Sequence, residues 1–291
     1  MADYSDWLGR ETRRIETISD RQVAHFRAAL AGTLGPGTLE PGIPGPGTLG
    51  PDAVPPGFHW CLMPDAAAPG DLGRDGHPRP GLVMPALPLP RRMWAGGELD
   101  IAAPLHSGET VNKFSRIADI TFKSGSTGAL GFVTVRNVWS VGGQTRLTER
   151  QDIVYRDDPK PDPAPSLTPS PAPAEDWPAA QIWRLTPDTV LLFRYSALTF
   201  NGHRIHYDHP YATGVEGYGG LVVHGPLQAT WMLNLASKVL GRLPANFRYR
   251  GLAPLICGQP VRIEACEGAD GLRLRVCRAD GVATMQASAR L

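Results

Sequence analysis

The run G-P-L-Q-A-T-W-M-L-N-L-A-S-K-V-L-G, Gly225 to Gly241, decides the fold. Pro226 suits the first position of a helix, where its missing amide hydrogen costs nothing, and Gly241 suits the left-handed residue after the last turn. Between them nearly every face is apolar, so the helix has to be enclosed by other elements. The following runs supply the enclosure: Val261 to Cys266, Leu272 to Arg278 and Val282 to Arg290. Leu272, Leu274 and Val276 alternate with Arg273 and Arg275, the period of a strand with one buried face, and Asp280-Gly281 is a hairpin turn. The second half is therefore expected to be a helix wrapped by an antiparallel meander.

The first half has a similar layout. A weaker helical stretch around Pro90 to Ala95 precedes strand-like runs at Ile117 to Lys123, Leu130 to Val138 and Arg146 to Tyr155, with turns at Gly125-Ser126 and Gly142-Gly143. A helix lying across a curled antiparallel sheet, occurring twice, predicts an α+β double hotdog: two sheets, each around a central helix, forming a pseudo-dimer in one chain. One more helix is specified near the start. Ser19 and Gln22 make a capping box, Ile18 and Val23 a hydrophobic staple, and Val23, Phe26 and Leu30 an apolar stripe that should pack on the first half. The expected domains are 1–156, with a Gly/Pro-rich loop at 32–57, and 179–291; the proline-dense stretch 157–178 reads as an extended linker.

Composition narrows the function. With 29 basic and 28 acidic residues interspersed, and a net charge of +1, there is no basic stripe for a nucleic acid. No run approaches the roughly 20 apolar residues of a membrane span. Cys61, Cys257, Cys266 and Cys277 are too scattered for a disulfide framework or a zinc site, and the acidic first twenty residues lack a signal-peptide core, so a cytoplasmic protein is expected.

Four of the eight histidines fall between Ala197 and Leu227, just before the enclosed helix. Phe200-Asn201-Gly202 reads as a turn, which puts His203 and His206 on a short irregular segment beside rigid elements, where reactive groups usually sit. His203, His206 and His209 are spaced by three, but Pro210 and the Asn-Gly turn break any regular helix and no Cys or Glu completes a ligand set nearby; no metal and no cofactor are expected. Taken singly, His203, His209 and His224 read more readily as structural histidines.

Four motifs carry a family resemblance: P-L-P-R-R-M-W-A-G-G (Pro88 to Gly97), L-T-E-R-Q-D-I-V-Y-R (Leu147 to Arg156), F-N-G-H-R-I-H-Y-D (Phe200 to Asp208) and G-G-L-V-V-H-G-P-L (Gly219 to Leu227). They resemble the MaoC-like hotdog enoyl-thioester hydratases and dehydratases. The likeness is to the double-hotdog branch with an N-terminal FAS1-like dehydratase domain, which includes mesaconyl-C4-CoA and itaconyl-CoA hydratases and mitochondrial 3-hydroxyacyl-thioester dehydratases. The wider family's G-D-x-N-P-x-H motif places its catalytic His on His206 and its Asp on Asn201, a departure, since an amide cannot take a proton. The first half has no comparable motif and is expected to shape an acyl tunnel.

The resemblance implies reversible hydration of an enoyl-CoA to a 3-hydroxyacyl-CoA. His206 would act as base, Asn201 would hold the water through its side-chain oxygen, and the Gly225 amide at the helix start would steady the thioester oxyanion, with His224 orienting that turn. Arg204, Arg248 and Arg250 are the candidates for coenzyme A phosphates or a free carboxylate on the acyl group, although Arg248/Arg250, like Arg91-Arg92, read equally as solvated faces. A homodimer of double hotdogs would fit. The rival readings are a dehydratase acting on carrier-protein substrates, a hotdog thioesterase, and a non-catalytic acyl-CoA-binding module.

Overall fold

The meanders form where alternation places one face of each strand toward a core. The computed structural model describes residues 3–34, 53–125, 128–158 and 177–291. In chain order the first half contains β1 (Glu11–Thr17), α1 (Asp20–Leu30), β2 (Arg91–Ile101), β3 (Thr110–Gly125), β4 (Gly128–Val141) and β5 (Gln144–Arg156). The second contains β6 (Gln181–Leu185), α2 (Thr189–Thr199), α3 (His209–Gly214), α4 (Gly225–Leu240), β7 (Asn246–Gly251), β8 (Val261–Gly268), β9 (Gly271–Arg278) and β10 (Ala283–Arg290). All neighbouring strands are antiparallel, in the order β1-β3-β4-β5-β2-β7-β10-β9-β8-β6. Read outward from the β2/β7 seam, the two halves have the same order. Backbone pairs such as Gly96 with Arg250 and Glu98 with Arg248 join them into one ten-stranded sheet.

The expected central helix is α4. Pro226 lies in its first turn, Gly241 closes it at φ 72, and Leu227 to Ser237 are all buried. α1 has the expected capping box, with Val23, Phe26 and Leu30 buried, and it packs on α2 of the second half as well as on its own half.

The helix expected around Pro90 to Ala95 is a strand. Arg91–Ile101 is β2, hydrogen-bonded to β5 on one side and β7 on the other. A register shift between Trp94 and Gly96 breaks the alternation of β2, so an in/out period appears only from Gly97 to Ile101 and the stretch before it carries no strand signature. Among the described residues the first half consequently has no counterpart of α4. Among the described residues between α1 and β2 there are only short 3₁₀ turns, and one of these, Phe58–Cys61, enters the core. Phe58 packs edge-on to Phe26, and His59 edge-on to Trp139. Gly57 enters this turn at φ 91; a Cβ there would lie 2.6 Å from Thr230 Oγ1 on α4, so only glycine fits.

A buried carboxylate ties the halves together. Glu149 on β5 accepts from Trp60 Nε1 (2.9 Å), Asn137 Nδ2 (2.9 Å) and, across the seam, Tyr249 OH (3.1 Å). Burial pushes its pKa up, and these three donors act against that shift. Most of the 32–57 loop and of the 157–178 linker lies outside the described residues. No helix among the described residues is long and apolar enough to cross a membrane.

Candidate active site

A cavity of ≈ 1820 Å³ opens between the halves beside the start of α4, and Asn201, His203, His206 and Gly225 all line it. Local sequence explains the first of these. α2 ends at Phe200, which takes the left-handed conformation (φ 49) and turns the chain toward the cavity. Asn201 Oδ1 then accepts the His203 amide at 3.0 Å, an Asx turn that sets up the 3₁₀ turn Arg204–His206.

His206 is held by its backbone partner. Its Nδ1 lies 2.7 Å from the Val222 carbonyl, and because a carbonyl only accepts, Nδ1 must carry the hydrogen. Nε2 is left with a lone pair. Desolvation, reinforced by the neighbouring imidazoles, drives the His206 pKa well below 6.5, so the ring is neutral at cellular pH. His224 stacks on it at 3.5 Å and 19°, is fully buried and is pushed down to about 3 by desolvation, while its Nε2 is hydrogen-bonded to Ser196 Oγ at 2.8 Å.

α4 begins at Gly225 directly after His224. Gly225 N–H belongs to the first turn, whose amides have no intrahelical acceptor, and the helix end adds partial positive charge. Trp94 of β2 lies over this residue: a Cβ on Gly225 would meet the indole Cε3 at 2.8 Å. The site therefore joins a neutral imidazole with a lone pair on Nε2, a helix N-terminus and a large cavity.

The expected arginines do not line it. Arg248 and Arg250 alternate on β7 with the buried Phe247 and Tyr249, so the strand period turns them to the opposite, exposed face of the sheet. Arg204 is committed elsewhere: it forks onto Asp208 (2.9 and 2.7 Å) and stacks over Tyr211. The cations at the cavity wall come from the first half and include Arg91 and Arg92, which had read equally as surface residues. Arg91 is buried and bonds Glu216 at 3.1 Å; Glu216 in turn accepts from His203 Nε2 at 3.2 Å. Burial alone would raise the Glu216 pKa, but His203 and Arg91 bring it below the usual carboxylate range.

Sequence spacing also missed a first-half pair. Asp75 and His77 come from a loop and reach His203, whose ring lies 4.3 Å from that of His77. The D-G-H turn at Asp75 to His77 was the available signal. For metal ligation, His203, His206 and His209 do not form a set, since His209 is exposed. The described residues able to converge on an ion are Asp75, His77 and His203, with ligand atoms within 4.8 Å of one another; Asp75 already accepts from His77 and faces Arg92 at 3.8 Å.

Comparison with known proteins gives this geometry a family. The model for hydroxyacyl-thioester dehydratase type 2 matches residues 57–257. The mesaconyl-C4-CoA hydratase of Chloroflexus aurantiacus is 40% identical over 290 residues, covering 100% of this chain and 98% of that protein. Among solved structures, a MaoC-like dehydratase from Phytophthora capsici superposes with a TM-score of 0.69 at 13% identity, covering 100% of this chain and 98% of the other. A Mycobacterium tuberculosis protein described as having a double hotdog fold gives 0.53 at 16% identity, with 98% and 96% covered. The chain belongs to the hydroxyacyl-thioester dehydratase type 2 family, and it is a carbon–oxygen lyase with a double hotdog fold.

Proposed function

We propose that the protein hydrates the double bond of an enoyl-CoA of the mesaconyl-C4-CoA class, giving the 3-hydroxyacyl-CoA, and runs the reverse dehydration. The observation that carries this reading is the tautomer of His206. The Val222 carbonyl fixes the hydrogen on Nδ1, leaving Nε2 as a base on a ring that lines the same cavity as Gly225. His206 Nε2 takes a proton from water as its oxygen bonds to the β-carbon. The double-bond electrons move onto the thioester, where the Gly225 amide and the helix end meet the oxyanion, and the same proton then passes from His206 to the α-carbon.

The acyl class is taken from the relative named mesaconyl-C4-CoA hydratase. A cytoplasmic acyl-CoA pool and a homodimer of double hotdogs accompany the reading, to be checked by fractionation and light scattering.

The test is a panel of mesaconyl-C4-CoA, crotonyl-CoA and a carrier-protein-linked 3-hydroxyacyl thioester, followed by ultraviolet absorbance and a thiol reagent. Hydration removes the conjugated absorbance and releases no thiol. Release of thiol would make the protein a thioesterase. Turnover of the carrier-linked substrate alone would favour the dehydratase reading that the family description suggests. Binding without turnover would leave an acyl-CoA-binding module.

A further inference from the structure

An attacking water must have both hydrogens held if its lone pair is to point at the β-carbon, and His206 Nε2 accounts for one. Asn201 was expected to hold the other; its Oδ1 accepts the His203 amide and keeps a second lone pair that can still take a water hydrogen. A further acceptor lines the same cavity from the other half of the molecule, His77.

His77 sits in a loop closed on itself by Gly73 N–H to the His77 carbonyl (2.7 Å) and Arg79 N–H to the Asp71 carbonyl (2.8 Å). The loop is docked, backbone to backbone, on the segment that carries His206. Arg204 N–H donates to the Asp75 carbonyl at 2.8 Å, and Arg204 Nη1 to the Arg74 carbonyl at 3.1 Å. Gly76 (φ 86) presses against Gly202, where a Cβ would lie 2.7 Å from the Gly76 oxygen. Two glycines thus let the loops meet at contact distance. The His77 ring reaches the cavity, 4.3 Å from His203, which is 5.5 Å from His206.

The hydrogen on His77 is assigned by Asp75. His77 Nδ1 lies 2.9 Å from Asp75 Oδ2, and the His77 backbone amide donates to Asp75 Oδ1 at 3.1 Å. Burial would raise the Asp75 pKa, but the His77 bond and the charge of Arg92 hold it well below the carboxylate range, so the carboxylate is ionised and can only accept. Nδ1 therefore carries the hydrogen and Nε2 the lone pair. The charged or titratable groups facing the ring are Asp75, Arg92 and His203, with Glu216 behind His203. Desolvation pushes His77 down to about 4, which keeps it neutral.

We propose that His77 is a second catalytic imidazole, supplied by the first half, whose Nε2 accepts one hydrogen of the nucleophilic water while His206 Nε2 removes the other. This rests on the hydration reading above. The hydrogen held by His77 stays on oxygen and becomes the product hydroxyl hydrogen. The one taken by His206 ends on the α-carbon, and both imidazoles finish neutral.

The experiment compares wild type with His77→Ala, His77→Gln and Asp75→Asn on mesaconyl-C4-CoA, with circular dichroism and Tm for each. His77→Ala should lower kcat about 10²–10³-fold with KM within about threefold, and His77→Gln, which keeps an acceptor, should recover part of the loss. Asp75→Asn is the sharper probe. The His77 amide claims the remaining oxygen, so the Asn nitrogen must face Nδ1 and force the ring hydrogen onto Nε2; kcat should fall by about 10²-fold or more with the imidazole still in place. A merely structural loop would lower Tm and raise KM without this tautomer dependence. Folded His77→Ala or Asp75→Asn enzyme with kcat near wild type overturns the proposal. So does turnover that a chelator abolishes and Zn²⁺ restores, which would make Asp75, His77 and His203 ligands. Wild-type protein inert on every enoyl thioester defeats the hydration reading itself, a separate failure.

Discussion

The second half wraps its meander around α4, sixteen residues with a continuous buried stretch. The first half repeats the strand order and places only short turns at the matching point of the described chain. The difference lies in what each concave face must do. Where α4 fills the curl, the sheet turns apolar residues inward: Phe247, Ile263, Leu274 and Val276 are all fully buried. In the first half, where no described helix fills the curl, Thr12, Arg14, Lys113, Ser115, Asn137 and Gln151 line the cavity. Cross-strand pairing lines up Thr12, Ser115, Asn137 and Glu149 in a polar row. Polar and apolar side chains share this wall, since Ile117, Val135, Ile153 and Val154 of the same strands also line the cavity.

If the second half holds the base, His206→Ala should lower kcat by about 10³-fold in a protein with wild-type circular dichroism; activity within tenfold of wild type would break the assignment. Gly225→Ala should come next. Its Cβ would collide with Trp94 where the halves meet, and if the Gly225 amide holds the oxyanion the expected loss in kcat/KM is about 10²-fold.

Stability against pH tests all the buried imidazoles together, including His59, which burial also pushes down to about 3. His224 (about 3), His77 (about 4) and His206 (well below 6.5) are all depressed relative to an unfolded histidine near 6.5. The unfolded chain therefore binds more protons between those values, so stability is complete above about pH 6.5 and falls on acidification. Each such histidine costs about 1.4 kcal/mol per pH unit, partly offset by Glu149, whose raised pKa acts in the opposite sense. Urea midpoints from pH 8 to 4 measure this; a flat profile would mean the imidazoles are not kept neutral. In contrast, kcat/KM should stay level from pH 8 to about 6.5.

Gly57→Ala separates packing from chemistry. It strains a left-handed residue and pushes on Thr230, and about 2 kcal/mol of stability should be lost, with kcat unchanged at a permissive temperature. Last, Arg248→Ala and Arg250→Ala should leave KM for an acyl-CoA within about twofold, because both side chains face away from the cavity; a large rise in KM would place coenzyme A on the outer face.

How far sequence led depended on whether a residue's role was local. The capping box at Ser19, the glycine stop at Gly241 and the alternation of Leu272 to Val276 are settled within a few positions, and each is legible. The start of β2 was not, because the register shift between Trp94 and Gly96 interrupts its in/out period, and Pro90 before Arg-Arg-Met-Trp-Ala resembles a helix start. The face of Arg248 and Arg250 was hidden for the opposite reason: their alternation was visible, but which face held the cavity was not. Glu216 and His77 reach His203 only through contacts made in three dimensions, the latter across 126 positions, as 203 minus 77. A search for ligands near His203 in sequence passes over both.

The β2/β7 seam has a consequence for how the molecule could be divided. Since a backbone ladder and the Glu149–Tyr249 bond hold the halves together, severing the covalent link between them should leave a two-piece enzyme that stays assembled. Co-produced fragments should complement one another, whereas either alone would expose a raw strand edge and precipitate.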